Sequence, residues 1–219
     1  MMPRKKPLDD AALKAKVLQA ALPHVVFDGF SDTALTRAAK ETGVAKDKLA
    51  ELFPDGPRSL VEAFSERADA AMETHLAAMD LKAMKIRARI AAAVMARIAA
   101  VRPHKEAARR AAAFLTLPPH AALGASLVWR TVDAMWRAVG DTATDFNFYT
   151  KRGILAGVYG ATMMRWFTDT SADESETTKF LADRIENVMQ FEKFKAQAKD
   201  ALSRFPSLAE VLGGLGARR

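Results

Sequence analysis

Apolar residues along this chain recur at intervals of three and four, and no stretch alternates strictly between apolar and polar. That is the helical period, so every regular element is predicted to be a helix and the fold to be all-α. Punctuation divides the chain into roughly ten segments. The first is expected over 8–27, with Pro23 able to kink it and Gly29 as its stop. Ser31 caps a second over 32–42, which Gly43 closes. A short third over 45–52 ends at Phe53-Pro54-Asp55-Gly56-Pro57. Longer helices follow over 59–79, 82–101, 104–117 (before Pro118-Pro119) and 120–139 (before Gly140). Asp145 caps a helix reaching about 167, and Ser171-Ala172-Asp173-Glu174 has the spacing of a capping box opening a helix to about 191. A weaker helix to 202 and another over 205–215 complete the pattern.

Two helices carry more apolar surface than a simple amphipathic element needs. In 120–139, Trp129, Asp133 and Trp136 form one stripe, Val128, Val132, Met135 and Val139 a second, and Leu123, Leu127 and Ala134 a third. Either this helix is central or one stripe is a binding surface; for the two tryptophans, core and interface stay open. Residues 153–164 carry no charge, with Gly153, Gly157 and Gly160 on one face continued by Met164, and Leu155, Tyr159 and Trp166 opposite. Each interior glycine costs about 1 kcal/mol against alanine. Close packing of another helix, or a channel for a slender apolar tail, would offset that. The next helix aligns Leu181, Ile185, Val188 and Met189; with Met135, Met163, Met164 and Phe167 this half offers polarizable lining.

Composition removes several chemistries. Among 219 residues there is no cysteine, which excludes disulfides, thiol catalysis and cysteine metal sites. The four histidines, His24, His75, His104 and His120, form no His-x-x-x-His pair, which argues against a zinc hydrolase; no metal or cofactor is expected. No acid–base constellation presents itself, and the protein is expected not to be an enzyme. No apolar run approaches the ~20 residues of a membrane span, and no apolar signal core follows the basic start. The expected setting is cytoplasmic. The net charge of +7 is local: residues 82–110 hold nine basic side chains against Glu106. Such a block attracts nucleic acid or an anionic membrane, or is a solvated helix face.

Residues 14–64 contain Leu18, Ala20-Ala21, Gly29-Phe30-Ser31, Ala38-Ala39, Gly43-Val44, Leu49, Phe53 and Leu60, a pattern that resembles the DNA-binding unit of TetR-type repressors. By that resemblance Gly43 sits in the turn and 45–52 is the recognition helix. The segment is electrically neutral, however, with seven basic and seven acidic side chains. Asp47 and Glu51 on the recognition helix oppose phosphate, so DNA binding is disfavoured and a structural three-helix cap is expected.

The stretch Val132-Asp133-Ala134-Met135-Trp136-Arg137-Ala138-Val139-Gly140-Asp141 precedes Thr144-Asp145-Phe146-Asn147-Phe148-Tyr149-Thr150-Lys151-Arg152. With Leu155-Ala156, Val158-Tyr159, Phe180-Leu181 and Arg184-Ile185-Glu186-Asn187, it resembles the "Coq-nine" family of ubiquinone-biosynthesis accessory proteins, most clearly over 118–192. The resemblance implies a non-enzymatic homodimer that binds an isoprenoid, quinone or phospholipid in a helical pocket and presents an intermediate to the di-iron hydroxylase of ubiquinone synthesis. It places the partner patch at Asp145, Phe146, Phe148, Tyr149 and Arg152, beside Trp136. Family members often have Trp where this chain has Phe148, which keeps the aromatic face without the indole donor. The family also uses a carboxy-terminal amphipathic helix against the membrane. Phe205, Leu208, Val211, Leu212 and Leu215, ending in Arg218-Arg219, have the pattern of a peripheral membrane contact. The absence of a mitochondrial targeting segment fits a bacterial member, peripheral to the inner membrane.

The expected architecture is a TetR-like all-α fold. A degenerate helix-turn-helix unit over 8–64 precedes a lipid-binding and dimerisation bundle over 65–192 and an amphipathic tail over 193–219. The lipid tail is expected between the helices around 120–139, 145–167 and 174–191, with the head group offered outward. Its lining is expected at Leu127 and Met135, at Ile154, Gly157, Val158, Met164 and Phe167, and at Leu181, Ile185 and Met189, with Phe114 of the preceding helix. The alternative is a TetR-type regulator with a lipophilic effector.

Overall fold

The computed structural model describes residues 9–142 and 146–203, and the fold is all-α; among the described residues there is no strand. Local side-chain caps open the first two helices. Helix α1 (Asp10–Asp28) starts where the Asp9 carboxylate accepts the Ala12 N–H at 2.7 Å, and it passes through the exposed Pro23 without ending. Its buried stripe is Val17, Leu18, Ala21, Leu22 and Val25. Helix α2 (Asp32–Thr42) is capped by Ser31 and closed by Gly43 at φ 71°, where the Val44 N–H reaches back to the Ala39 carbonyl at 2.9 Å. That left-handed turn favours glycine. Helix α3 (Lys46–Leu52) has no side-chain cap. Helix α4 (Pro57–Ala77) begins with proline at its first position, where the missing N–H carries no penalty.

The second half departs from expectation in three places. The helix predicted from 82 begins only at Ile86, as α5 (Ile86–Val101), after a 3-10 turn over Leu81–Ala83. The Arg89 guanidinium donates to the carbonyls of Lys82, Met84 and Val139, which satisfies that turn and holds it apart from α5. Helices α6 (Lys105–Thr116), α7 (Ala121–Ala138) and α8 (Phe146–Thr168) lie close to their predicted ranges. The capping box at 171–174 does not form. The Ser171 hydroxyl donates instead to Asp169, and Glu174, at φ 56°, accepts from Arg102 and from the Trp166 indole. Helix α9 (Ser175–Ser203) starts after this turn and runs on without the break expected near 191. The Asp145 cap and the 205–215 amphipathic helix lie outside the described residues.

Helix α4 is the strut of the molecule. It packs on α1 and α2 and on α5 and α7, while α8 packs between α7 and α9. Helix α6 reaches back to α1. One continuous apolar core runs from Val17 to Leu181, so the boundary expected at 64/65 falls inside α4. Leu22, Leu60, Met72, Leu76 and Ile98 are fully buried in it. Each contributes about 1.5–3 kcal/mol by removal from water.

Candidate functional site

Between α4, α5, α6, α7 and α8 lies a cavity of about 430 Å³. Its origin is small side chains. Helix α6 turns Ala108, Ala111 and Ala112 toward it, and α7 contributes Ala121, Gly124 and Ala125. None of these reaches across the gap to α4 and α8. Gly124 also lets α6 and α7 approach closely: a Cβ there would lie 3.0 Å from the Leu115 carbonyl oxygen. The exposed Thr116, Ala121, Ala125 and Met164 mark the mouth, and the buried Val61, Phe64, Val101 and Leu127 line the interior. The size matches small-ligand sites, which span roughly 300–1,000 Å³.

The inner wall is not wholly apolar. Arg97, on the buried side of α5, donates from Nε to Asp69 Oδ1 at 2.7 Å and from Nη2 to the Ser65 carbonyl and hydroxyl at 3.4 and 3.3 Å. The Thr131 hydroxyl donates to the same Asp69 carboxylate at 2.9 Å. Tyr159 faces this group from α8, and burial pushes its phenol above the ordinary value. A buried arginine paired with a carboxylate is stable only when its charge is met in this way.

The predicted lining residues separate into two sets. Leu127, Met164 and Phe167 line the cavity. Met135, Val158 and Leu181 are buried in the core elsewhere, and Ile154 and Ile185 are half-buried. Phe114 stacks on His120 with centroids 4.0 Å apart, and Gly157 and Met189 are exposed. The cavity therefore sits one layer earlier in the chain than expected: α9 contributes nothing to it, while α4, α5 and α6 do.

A second feature lies at the start of α8. Trp129 of α7 stacks on Tyr149 with centroids 6.1 Å apart, and Phe148 meets Tyr149 edge-on at 5.1 Å. Tyr149 is 63% exposed. Arg152 is not part of this surface: it is 1% exposed and lies 3.5 Å over the inner side of the Phe148 ring. Its guanidinium donates to Asp133 at 2.6 Å and to Asp141 at 3.2 Å, and Lys151 donates to Asp141 at 2.7 Å. Burial alone would raise the Asp141 carboxyl, but the bonds from Lys151 and Arg152 outweigh it and hold it low. The Trp136 indole donates to the Lys151 carbonyl at 3.2 Å, and Trp129 and Trp136 are both half-buried. Arg152 and Trp136 thus position the aromatic surface from beneath. Asp145 and the side chain of Phe146 lie outside the described residues.

Several cations of the basic block are engaged within the molecule. Arg97 is buried, Arg89 ties three carbonyls, Arg102 grips Glu174 at 2.7 Å, Lys105 donates to the Asp169 carbonyl, and Arg109 donates to the Phe167 carbonyl. Lys48 on α3 is likewise held by Asp10 and Glu51. Among the described residues no group of three or more His, Asp or Glu side chains is placed to hold a metal ion. No single described helix is long and apolar enough to cross a membrane.

Residues 121–192 match the family model COQ9. The mitochondrial ubiquinone biosynthesis protein COQ9 of Bos taurus is 30% identical over 195 residues, covering 85% of this chain and 60% of its own length. The corresponding human protein is 28% identical over 193 residues, with 85% and 61% covered. COQ9-B of Xenopus laevis is 31% identical over 184 residues, with 81% and 62% covered. The chain thus spans about three fifths of the length of the curated relatives it matches. In three dimensions it is similar to a TetR transcriptional regulator from Nitrosomonas europaea, with a TM-score of 0.62, 18% identity, and 80% and 97% of the two chains covered. On a TetR-like helical fold, this chain resembles the COQ9 ubiquinone biosynthesis proteins along most of its length.

Proposed function

We propose that this protein is a non-enzymatic accessory factor of ubiquinone biosynthesis that holds an isoprenoid, quinone or other apolar-tailed lipid in the α4–α8 cavity and delivers it to a di-iron hydroxylase. The observation that carries this reading is the cavity of about 430 Å³, with its apolar lining and exposed mouth, in a chain similar to COQ9 proteins. A tail longer than the cavity leaves through the mouth beside Met164. The hydroxylase docks on Trp129, Phe148 and Tyr149, where an exposed aromatic group over a buried, pre-positioned arginine suits an interface anchor. The open stripe of Gly153, Gly157 and Met164 on α8 receives a second copy of the chain, and the 205–215 segment rests on the membrane surface.

The patch is tested by co-isolation with the hydroxylase. Tyr149→Ala is expected to lose the complex while keeping its helical signal and Tm, because Tyr149 is exposed and its ring contacts are with Trp129 and Phe148. Unchanged co-isolation contradicts the assignment. The TetR-type regulator is the second reading, favoured only by the fold, and it predicts salt-dependent binding to a palindromic site. The neutral 14–64 segment and the engaged Lys48 argue against it.

A further inference from the structure

Two hydrogen-bond donors on the inner wall of the cavity have no partner among the described residues. Arg97 uses Nε and Nη2, but its Nη1 makes no bond. The Tyr159 hydroxyl makes none either. Both side chains are more than nine-tenths buried, and both line the cavity. Neither atom is sealed inside the protein: each opens onto the cavity, where an acceptor on a ligand can meet it.

We propose that the cavity takes its ligand oxygen end first, with a neutral carbonyl or phenolic oxygen accepting from the Tyr159 hydroxyl and Arg97 Nη1. This rests on the cavity being the lipid site of the preceding section, and it reverses the orientation expected from the sequence. The polar groups lie inward, at Arg97, Ser65, Thr131 and Tyr159, whereas the mouth is built from Ala121, Ala125 and Met164 with one threonine. The favoured oxygen is uncharged for a reason of balance. Asp69 already neutralises Arg97 at 2.7 Å, and a second anion beside that carboxylate would be repelled. Burial keeps the Tyr159 phenol protonated, which makes it a donor. The reactive head is then shielded from water during carriage and leaves through the mouth on delivery. A quinone ring and a fatty-ester group both present such an oxygen.

The test uses the full chain freed of bound lipid, titrated with decylubiquinone, ethyl dodecanoate and dodecylbenzene and read by native mass spectrometry. Tyr159→Phe removes only an oxygen that has no protein partner, so the fold and Tm are expected to hold. It is expected to weaken an oxygen-bearing probe roughly 3- to 10-fold, the worth of one hydrogen bond, and to leave dodecylbenzene unchanged. Which probe responds identifies the source of the oxygen. Equal binding of all three probes by wild type and Tyr159→Phe overturns the orientation while leaving the cavity as the lipid site. Ala112→Phe narrows the cavity wall and is expected to abolish binding of every probe. If it does not, or if no probe binds the wild type, the cavity reading falls and this proposal with it.

Discussion

Gly124 and Gly157 sit in neighbouring helices and do opposite work. Gly124 faces the Leu115 backbone, and a methyl group there would meet a carbonyl oxygen at 3.0 Å that cannot move without shifting α6. Gly124→Ala is expected to lose about 1–2 kcal/mol in urea unfolding, overpacking outweighing the better helix propensity. Gly157 has open space where its Cβ would be. Gly157→Ala at low protein concentration is expected to gain about 0.5–1 kcal/mol from helix propensity alone. A gain at Gly124 or a loss at Gly157 contradicts these assignments. The sequence pattern drew notice to the 153–160 glycines because they share a face, but it passed over Gly124, whose role depends on a residue in another helix. Arg97 was overlooked for a similar reason. A cation in an alanine-rich helix reads as surface charge until Asp69, 28 residues away, is brought beside it.

At the scale of elements, the α8–α9 junction is held by two carboxylates. Burial by itself would raise the Asp169 carboxyl, but the hydroxyls and backbone N–H groups of Ser171 and Thr177 hold it well below the usual carboxylate range. The Arg102 bond does the same for Glu174, against some desolvation. A carboxyl depressed in the folded state stabilises fully above its unfolded value of about 4 and loses that contribution as pH falls toward the folded value. Stability is therefore expected to drop in acid from about pH 4 downward, and Asp169→Ala is expected to flatten that slope and to lose about 2 kcal/mol at neutral pH. Thermal melts across pH 2–7 check both; an unchanged acid slope in Asp169→Ala would contradict the junction's role. The helix start at Ser31 is legible because that cap is satisfied within a turn of its own residue, whereas the Asp9 cap of α1 and the start of α4 at Pro57, two residues before the expected 59, are not singled out by the pattern. The 171–174 spacing does not become a capping box because Asp169, just outside the motif, captures Ser171, and Arg102, from the turn between α5 and α6, captures Glu174.

For the whole molecule, the all-α class followed from periodicity and punctuation and the TetR-like arrangement from the resemblance carried by residues 14–64, whereas the cavity followed from neither. A cavity is missing volume, and alanines at 108, 111 and 112 look locally like ordinary close packing. Only the arrangement of five helices shows that no neighbour fills the space they leave. The central claim, that this space carries an apolar-tailed lipid, is tested most directly by purifying the wild-type chain and Ala112→Phe natively and identifying co-purifying lipid by solvent extraction and mass spectrometry. The account predicts a stoichiometric isoprenoid, quinone or phospholipid with the wild type and its loss from a folded Ala112→Phe. A wild-type protein that is empty, or a variant that retains the same lipid, would contradict it.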